Sequence, residues 1–203
     1  MPAHFCKEIS GLETIQLIEF VSALLGALSV WMNTQRMILG WPTGLVSVVL
    51  ASLVYQQSGL YAEAGLQSFY FLTGLYGWWN WNRHKDSETT AAVVSLSKKS
   101  LVLTLLWAIP LYVGLFIWVR SIPGASLPWL DSLVTVLSIV GQIWLTRRNP
   151  ENWWIWVVVN VISTGLYLWK ELWFFSGLYL VLLVLAVLGL RNWYRISTAS
   201  DNA

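Results

Sequence analysis

The chain is short of charge. Asp, Glu, Lys and Arg make up 11% of its 203 residues, against roughly 25% in an ordinary soluble domain. A single cysteine, Cys6, excludes an intrachain disulfide and a thiol-built metal cluster. The two histidines, His4 and His84, fall outside the apolar segments and read as surface residues. A net charge of +2 is too small to call for a nucleic-acid partner. No His, acid pair or G-x-S-x-G element lies within an apolar segment. No catalytic constellation is therefore legible, and neither an enzyme activity, a cofactor nor a metal is expected. No basic segment directly precedes the first apolar run and no A-x-A-like site follows it, so no cleavable leader is expected.

What the chain has instead is apolar surface: 57% hydrophobic residues and a mean hydropathy of +0.61. A small fold cannot hide that much inside one core, whereas a bilayer solvates it. The 15 Trp and 8 Tyr fit the same setting, because their amphipathic rings favour the membrane interface. A helix needs about 20 mainly apolar residues to cross. Seven such runs are present: Ile15–Asn33, Trp41–Gln57, Glu63–Asn82, Leu101–Val119, Trp129–Thr146, Trp153–Trp169 and Trp173–Trp193. Only the third break, around RHKDSETT, is long enough for a true loop. The others are tight turns that make consecutive helices antiparallel neighbours. With seven spans, one face collects Arg36, Arg83, Lys85, Lys98, Lys99, Arg147, Arg148, Arg191 and Arg195, and the other only Lys7, Arg120 and Lys170. This bias predicts an outside N-terminus and a cytoplasmic C-terminus. The Arg147–Arg148 doublet reads as a topology signal, with contact to anionic membrane lipid as an extra.

The sequence also repeats itself. Ile18–Arg83 lies on Leu130–Arg195 without a gap at an offset of 112, with 14 of 66 positions identical. The matches include Thr34/Thr146, Arg36/Arg148, Trp41/Trp153, Tyr55/Tyr167, Leu60/Leu172, Gly65/Gly177, Gly77/Gly189, Asn80/Asn192, Trp81/Trp193 and Arg83/Arg195. Each copy holds three helices, and a linker helix at 101–119 separates the copies (13–83 and 129–195). The second copy therefore enters the membrane in the same direction as the first. The expected fold class is an all-α integral membrane protein, one transmembrane domain over 1–203, with parallel 3+1+3 repeats of the SWEET-like kind. Transporters of that class bind solute at the repeat interface.

Polar groups at membrane depth are costly unless satisfied, so they mark cavities or helix contacts. The sixth helix carries Trp153, Trp156, Asn160, Ser163, Thr164 and Tyr167 at steps of three or four, hence on one face. The matching stripe of the second helix, Trp41, Gly44, Val48, Ala51, Ser52 and Tyr55, keeps aromatic ends around a small or apolar middle. The sixth helix is thus expected to recognise the solute and the second to give it room. The third helix adds Gln67 and Tyr70, and the seventh has Tyr179 where the third has Gln67. Amides offer both donors and acceptors, and Trp and Tyr faces attract a cationic ring. A flat solute bearing an amide is the expected ligand. Interfacial belt or gate roles compete for Trp41 and Trp153, packing competes for Trp156, and interhelical bonding competes for Asn160 and Gln67. Glu19 and Asp131, near the outer starts of repeat-equivalent helices, read as interfacial.

The stretch GWPTGLVSVVLASLVYQQSGLYAEAGLQSFYFLTGLYGWWNW resembles the signature of the nicotinamide riboside transporter (PnuC) family. NPENWWIWVVVNVISTGLYLWKELWFFSGLYLVLLVLAVLGLRNW is similar to the same family's C-terminal half. The W-x-x-W at Trp153 and Trp156, the following Asn160, and the G-L-x-x-x-x-G-L-Q pattern ending at Gln67 carry the resemblance. It implies uptake of a vitamin precursor, usually nicotinamide riboside and in related branches thiamine, by facilitated diffusion across a bacterial inner membrane. It further implies a cytoplasmic riboside kinase that traps the solute, and homotrimers. It places Trp153, Trp156 and Asn160 against the vitamin. A membrane enzyme or an accessory subunit is the alternative class. The first would need titratable groups facing a cavity, and the second would bind no solute alone.

Overall fold

A computed structural model of the protein describes the backbone of residues 2–57, 61–87, 90–123, 127–169 and 171–201, and side chains from residue 15 onward except 61–65, 174 and 199–201. The seven expected helices are present: α1 Pro2–Thr34, α2 Gly40–Gln57, α3 Tyr61–Arg83, α4 Lys98–Arg120, α5 Pro128–Thr146, α6 Asn152–Trp169 and α7 Trp173–Asp201. Between α3 and α4 the described residues 92–97 run as an irregular segment, and Thr90 forms an isolated antiparallel bridge with Met37. Two helices overrun their apolar runs. α1 begins at Pro2 rather than near Ile15, and α7 continues past Trp193. These extra turns carry polar residues that hydrophobic periodicity does not register.

Among the described residues four helical segments are long and apolar enough to cross a membrane: Ile15–Thr34, Lys98–Arg120, Pro128–Thr146 and Phe175–Thr198. The other three helices, α2, α3 and α6, are diluted by Gly, Ser, Gln and Asn. These same three carry all the candidate solute residues except Tyr179.

The chain divides into two compact units, residues 1–90 and 91–203, with α4 in the second. In the first unit α1 packs on α2 and α2 on α3. The α1–α2 seam is made of small and hydroxyl residues. Ser22 Oγ donates to Ser47 O at 3.0 Å, Ser47 Oγ returns to Ser22 O at 2.8 Å, and Ser29 Oγ donates to Gly40 O at 2.7 Å. Small residues permit this close approach, and hydroxyl-to-carbonyl bonds hold it where water does not compete. In the second unit α4 packs on α5, α5 on α6 and α6 on α7. Ser97 caps α4 by accepting from Ser100 N, and Pro128 opens α5 with the φ its ring dictates. α5 is the inner helix: 44% of its apolar window is buried, against 11% in α4. Trp144 Nε1 fastens α5 to α4 through Thr104 Oγ1 at 3.1 Å, within a cluster of Ala108, Val136 and Val140.

The repeat is visible in the turns. α1 and α5 both end in a Schellman motif whose left-handed residue is arginine rather than glycine: Arg36 at φ 60° and Arg148 at φ 65°. Arg36 N donates to Asn33 O and Met37 N to Met32 O. Arg148 N donates to Leu145 O and Asn149 N to Trp144 O, the same four positions shifted by 112. Thr34 and Thr146 each return a hydroxyl bond of 2.7 Å to the carbonyl three residues back. α6 ends likewise on Glu171, at φ 59°. Its repeat counterpart, Gly59, lies outside the described residues.

Candidate solute site

In the second unit α6 carries the candidate residues, but they face different neighbours. Trp153 is 2% exposed and lies over Gly189 of α7, edge-on to Trp193 with ring centroids 5.7 Å apart. A Cβ added to Gly189 would come within 2.5 Å of the Trp153 ring. Trp156, three residues later, turns to α5: its Cε2 and Nε1 lie 3.2 and 3.3 Å from where a Gly141 Cβ would stand. Trp156 is half-buried. Asn160, a turn further on, is 4% exposed. Its backbone carbonyl accepts from Thr164 Oγ1 at 2.7 Å, while its amide has no hydrogen-bond partner among the described residues. Ser163 is also buried, at 3% exposure. Towards the far end of α6, Tyr167 stacks on Tyr179 and Phe175 of α7, with centroids 5.2 and 5.4 Å apart. Ser176 Oγ reaches back to Thr164 O at 3.4 Å.

The first unit holds the remaining candidates. Trp41, 4% exposed, is edge-on to Trp81 at 5.3 Å and lies across Gly77 of α3. This is the Trp153–Gly189–Trp193 arrangement shifted by 112. In both copies the Trp Nε1 is buried and unpaired among the described residues. Gln67 and Tyr70 are half-buried on α3, with Tyr70 edge-on to Phe69 at 5.6 Å. Trp41 packs about ten residues further along α3, so the structure does not bring it to Gln67.

Sequence reasoning missed a polar clasp at the repeated turns. Arg148, Asn149 and Asn152 are all buried, at 9%, 6% and 0% exposure. Asn152 donates to Asn149 O within the turn, while Arg148, Asn149 and Glu151 hold the extended segment before α4. Arg148 donates to Ala92 O at 3.2 Å and Asn149 Nδ2 to Val94 O at 2.7 Å, and both Glu151 carboxylate oxygens accept from Leu96 N at 3.1 and 3.2 Å. In the first unit Arg36 grips the segment after α3 through Asp86 at 2.5 Å. Asp86 also accepts from Thr90 Oγ1 at 2.6 Å. Partial burial raises the Asp86 pKa, but the bonds from Thr90 and Arg36 and the guanidinium charge outweigh it, leaving it below the ordinary 3.8. The available signal was the matched Thr-x-Arg at the two turns. Among the described residues no three His, Cys, Asp or Glu side chains gather where they could hold a metal.

Seven helices, several of them apolar enough to cross a bilayer, with aromatic and amide side chains along the less apolar ones, define a multi-pass membrane protein of the solute-carrier kind. The model of the nicotinamide mononucleotide transporter family matches residues 16–195, and the chain belongs to that family. It is 29% identical to the nicotinamide riboside transporter PnuC of Escherichia coli (strain K12), over 87% of this chain and 84% of that protein. It is 25% identical to the riboflavin/roseoflavin transporter RibM of Streptomyces davaonensis, over 87% of this chain and 84% of that protein. Among solved structures it is similar to the vitamin B3 transporter PnuC, with a TM-score of 0.72 and 26% identity over 90% of this chain and 83% of that one. The family and these relatives are transporters, not enzymes.

Proposed function

We propose that the protein carries nicotinamide riboside across the bacterial inner membrane by facilitated diffusion. Kinship with the riboside transporter of Escherichia coli supports the substrate. The observation that carries the reading is the α6 face, where the nearly buried Asn160 amide keeps its hydrogen-bonding capacity beside the half-buried Trp156 ring. A pyridinium carboxamide matches that pair: the ring takes the aromatic face and the carboxamide the Asn160 amide. Trp153, Ser163, Thr164, Tyr167 and Tyr179 are proposed solute contacts of the second unit, and Gln67, Tyr70 and Trp41 are proposed contacts of the first. The family model bears the name of the phosphorylated nucleotide. Yet α6 has no Lys or Arg from Asn152 to Trp169, and an unpaired phosphate at membrane depth is expensive. The uncharged ribose end of the riboside suits it better.

On this reading the helices form parallel 3+1+3 repeats of the SWEET-like kind that rock about the bound solute. The N-terminus lies outside and the C-terminus in the cytoplasm. Downhill entry becomes net uptake when a cytoplasmic kinase phosphorylates the riboside. The homotrimer stays an expectation from the family resemblance. A second reading, carriage of another vitamin such as riboflavin or thiamine by the same mechanism, is favoured by kinship to the riboflavin/roseoflavin transporter. A binding panel on the purified protein separates them. Nicotinamide riboside is expected to bind, and the mononucleotide, riboflavin and thiamine to bind at least about tenfold more weakly. Preference for riboflavin or thiamine moves the assignment to the second reading, and binding of none of the four removes both.

A further inference from the structure

The two repeat copies solve one packing problem in opposite ways. In the first unit Ser29 of α1 meets Gly44 of α2: a Cβ on Gly44 would come within 2.6 Å of Ser29 Oγ. At the equivalent positions of the second unit, α5 has Gly141 and α6 has Trp156. The bulk has moved to the other helix and the gap has moved with it. Gly141 is buried. A Cβ there would stand 3.2 Å from Trp156 Cε2, 3.3 Å from its Nε1 and 3.2 Å from Ile155 Cγ2. Glycine in a helix interior is conformationally wasteful relative to alanine, so this position calls for a reason. The close seat it gives the Trp156 ring supplies one.

We infer that Gly141 is a positioning residue for solute selection: by letting the fused edge of the Trp156 indole settle against the α5 backbone, it sets how wide a flat cationic ring the carrier accepts. The inference rests on the reading of Trp156 as a solute contact. Added bulk at residue 141 moves the ring off α5 by a few tenths of an ångström, because the neighbours at 3.2 to 3.3 Å must yield. The ring then advances on the solute, and wide solutes suffer first. Size discrimination of this kind acts through a single carbon in a packed environment.

The test measures binding of nicotinamide riboside and of its wider bicyclic counterpart, a quinolinium carboxamide riboside, to the purified full chain. Gly141→Ala is expected to weaken the riboside about threefold and the bicyclic compound about tenfold or more, with the unfolding temperature nearly unchanged. In a Trp156→Ala background the same Gly141→Ala change is expected to alter neither affinity, since its effect travels through the ring. Should Gly141→Ala not fold alone, it is compared with Gly141 in a Trp156→Phe background. The smaller ring leaves room there, so the added methyl is expected to leave the bicyclic-to-riboside ratio unchanged while Trp156→Phe itself raises it, and a ratio that Trp156→Phe does not raise overturns the inference. Equal weakening of both ligands, or no change in either background, overturns the inference while leaving the solute contact standing. Normal binding of both ligands by Trp156→Ala alone overturns the contact and the inference together.

Discussion

Trp153 occupies the space that a side chain on Gly189 would need: a Cβ there would fall 2.5 Å from Trp153 Cε2 and 2.6 Å from its Cδ2. Trp41 stands in the same relation to Gly77. Each ring is pinned from one side by a bare helix backbone and from another by a buried Trp edge, so neither has room to yield. Gly189→Ala and Gly77→Ala should each destabilise the protein by about 1–3 kcal/mol, the usual cost of overpacking. Gly165 and Gly177 have nothing within 4 Å of an added Cβ, so alanine there serves as control. Thermal unfolding in detergent is the measurement. A Gly189→Ala protein that unfolds no earlier than Gly165→Ala contradicts the packing described.

The Asp86–Arg36 pair gives a pH dependence with a definite sign. Because the folded pKa is depressed, the carboxylate stabilises the clasp fully above the ordinary 3.8, and that contribution disappears as pH falls through the lower folded value. Asp86 is 40% exposed, so solvent screening keeps the contribution small. The readout is local: amide exchange of residues 84–87, corrected for intrinsic rate, should quicken in Asp86→Asn at neutral pH and in the wild type only under strong acid. Identical protection in both proteins at neutral pH speaks against the clasp.

Among the described residues three helices end on a left-handed residue that is not glycine, and two of the three have a second duty. Left-handed backbone costs an L-residue roughly 1 kcal/mol or more. Glu171, exposed at the α6–α7 turn, should therefore gain up to about 1 kcal/mol of stability on change to Gly. Arg148→Gly should lose stability despite the same relief, because its guanidinium holds the Ala92 carbonyl. Denaturation midpoints of the two variants should move in opposite directions, and a shared direction contradicts this division.

Much of this was readable in the sequence. The seven apolar runs locate the helices, and the offset of 112 pairs Trp41 with Trp153, Gly77 with Gly189 and Trp81 with Trp193. Which neighbour each ring meets was not readable. Trp153 and Trp156 stand three positions apart, on one broad stripe, yet that rotation of about 60° is enough to send one ring to α7 and the other to α5. The clasp was missed because the run after α3 looks like any solvated loop. Its order comes from side chains bonding to distant backbone carbonyls, which periodicity does not record. Gly141 was missed because a glycine acquires meaning only through what lies opposite. The early start of α1 was missed because its first turns carry no apolar rhythm.

Asn160 offers the cleanest test of the polar half of the solute reading. Thr164 bonds to its backbone carbonyl, not its amide, so Asn160→Ala should fold normally. Stranding the solute's carboxamide should weaken nicotinamide riboside by about 1–3 kcal/mol. Calorimetric titration measures it, and an unchanged affinity places the polar contact elsewhere.

The central claim is downhill carriage of a riboside, and uptake of labelled nicotinamide riboside into sealed vesicles containing only the purified protein tests it most directly. Saturable entry that proceeds to equal concentrations inside and out, at the same rate with or without a proton or sodium gradient, is the expected result. Entry no faster than into protein-free vesicles, or accumulation above the outside concentration when a gradient is imposed, would contradict it.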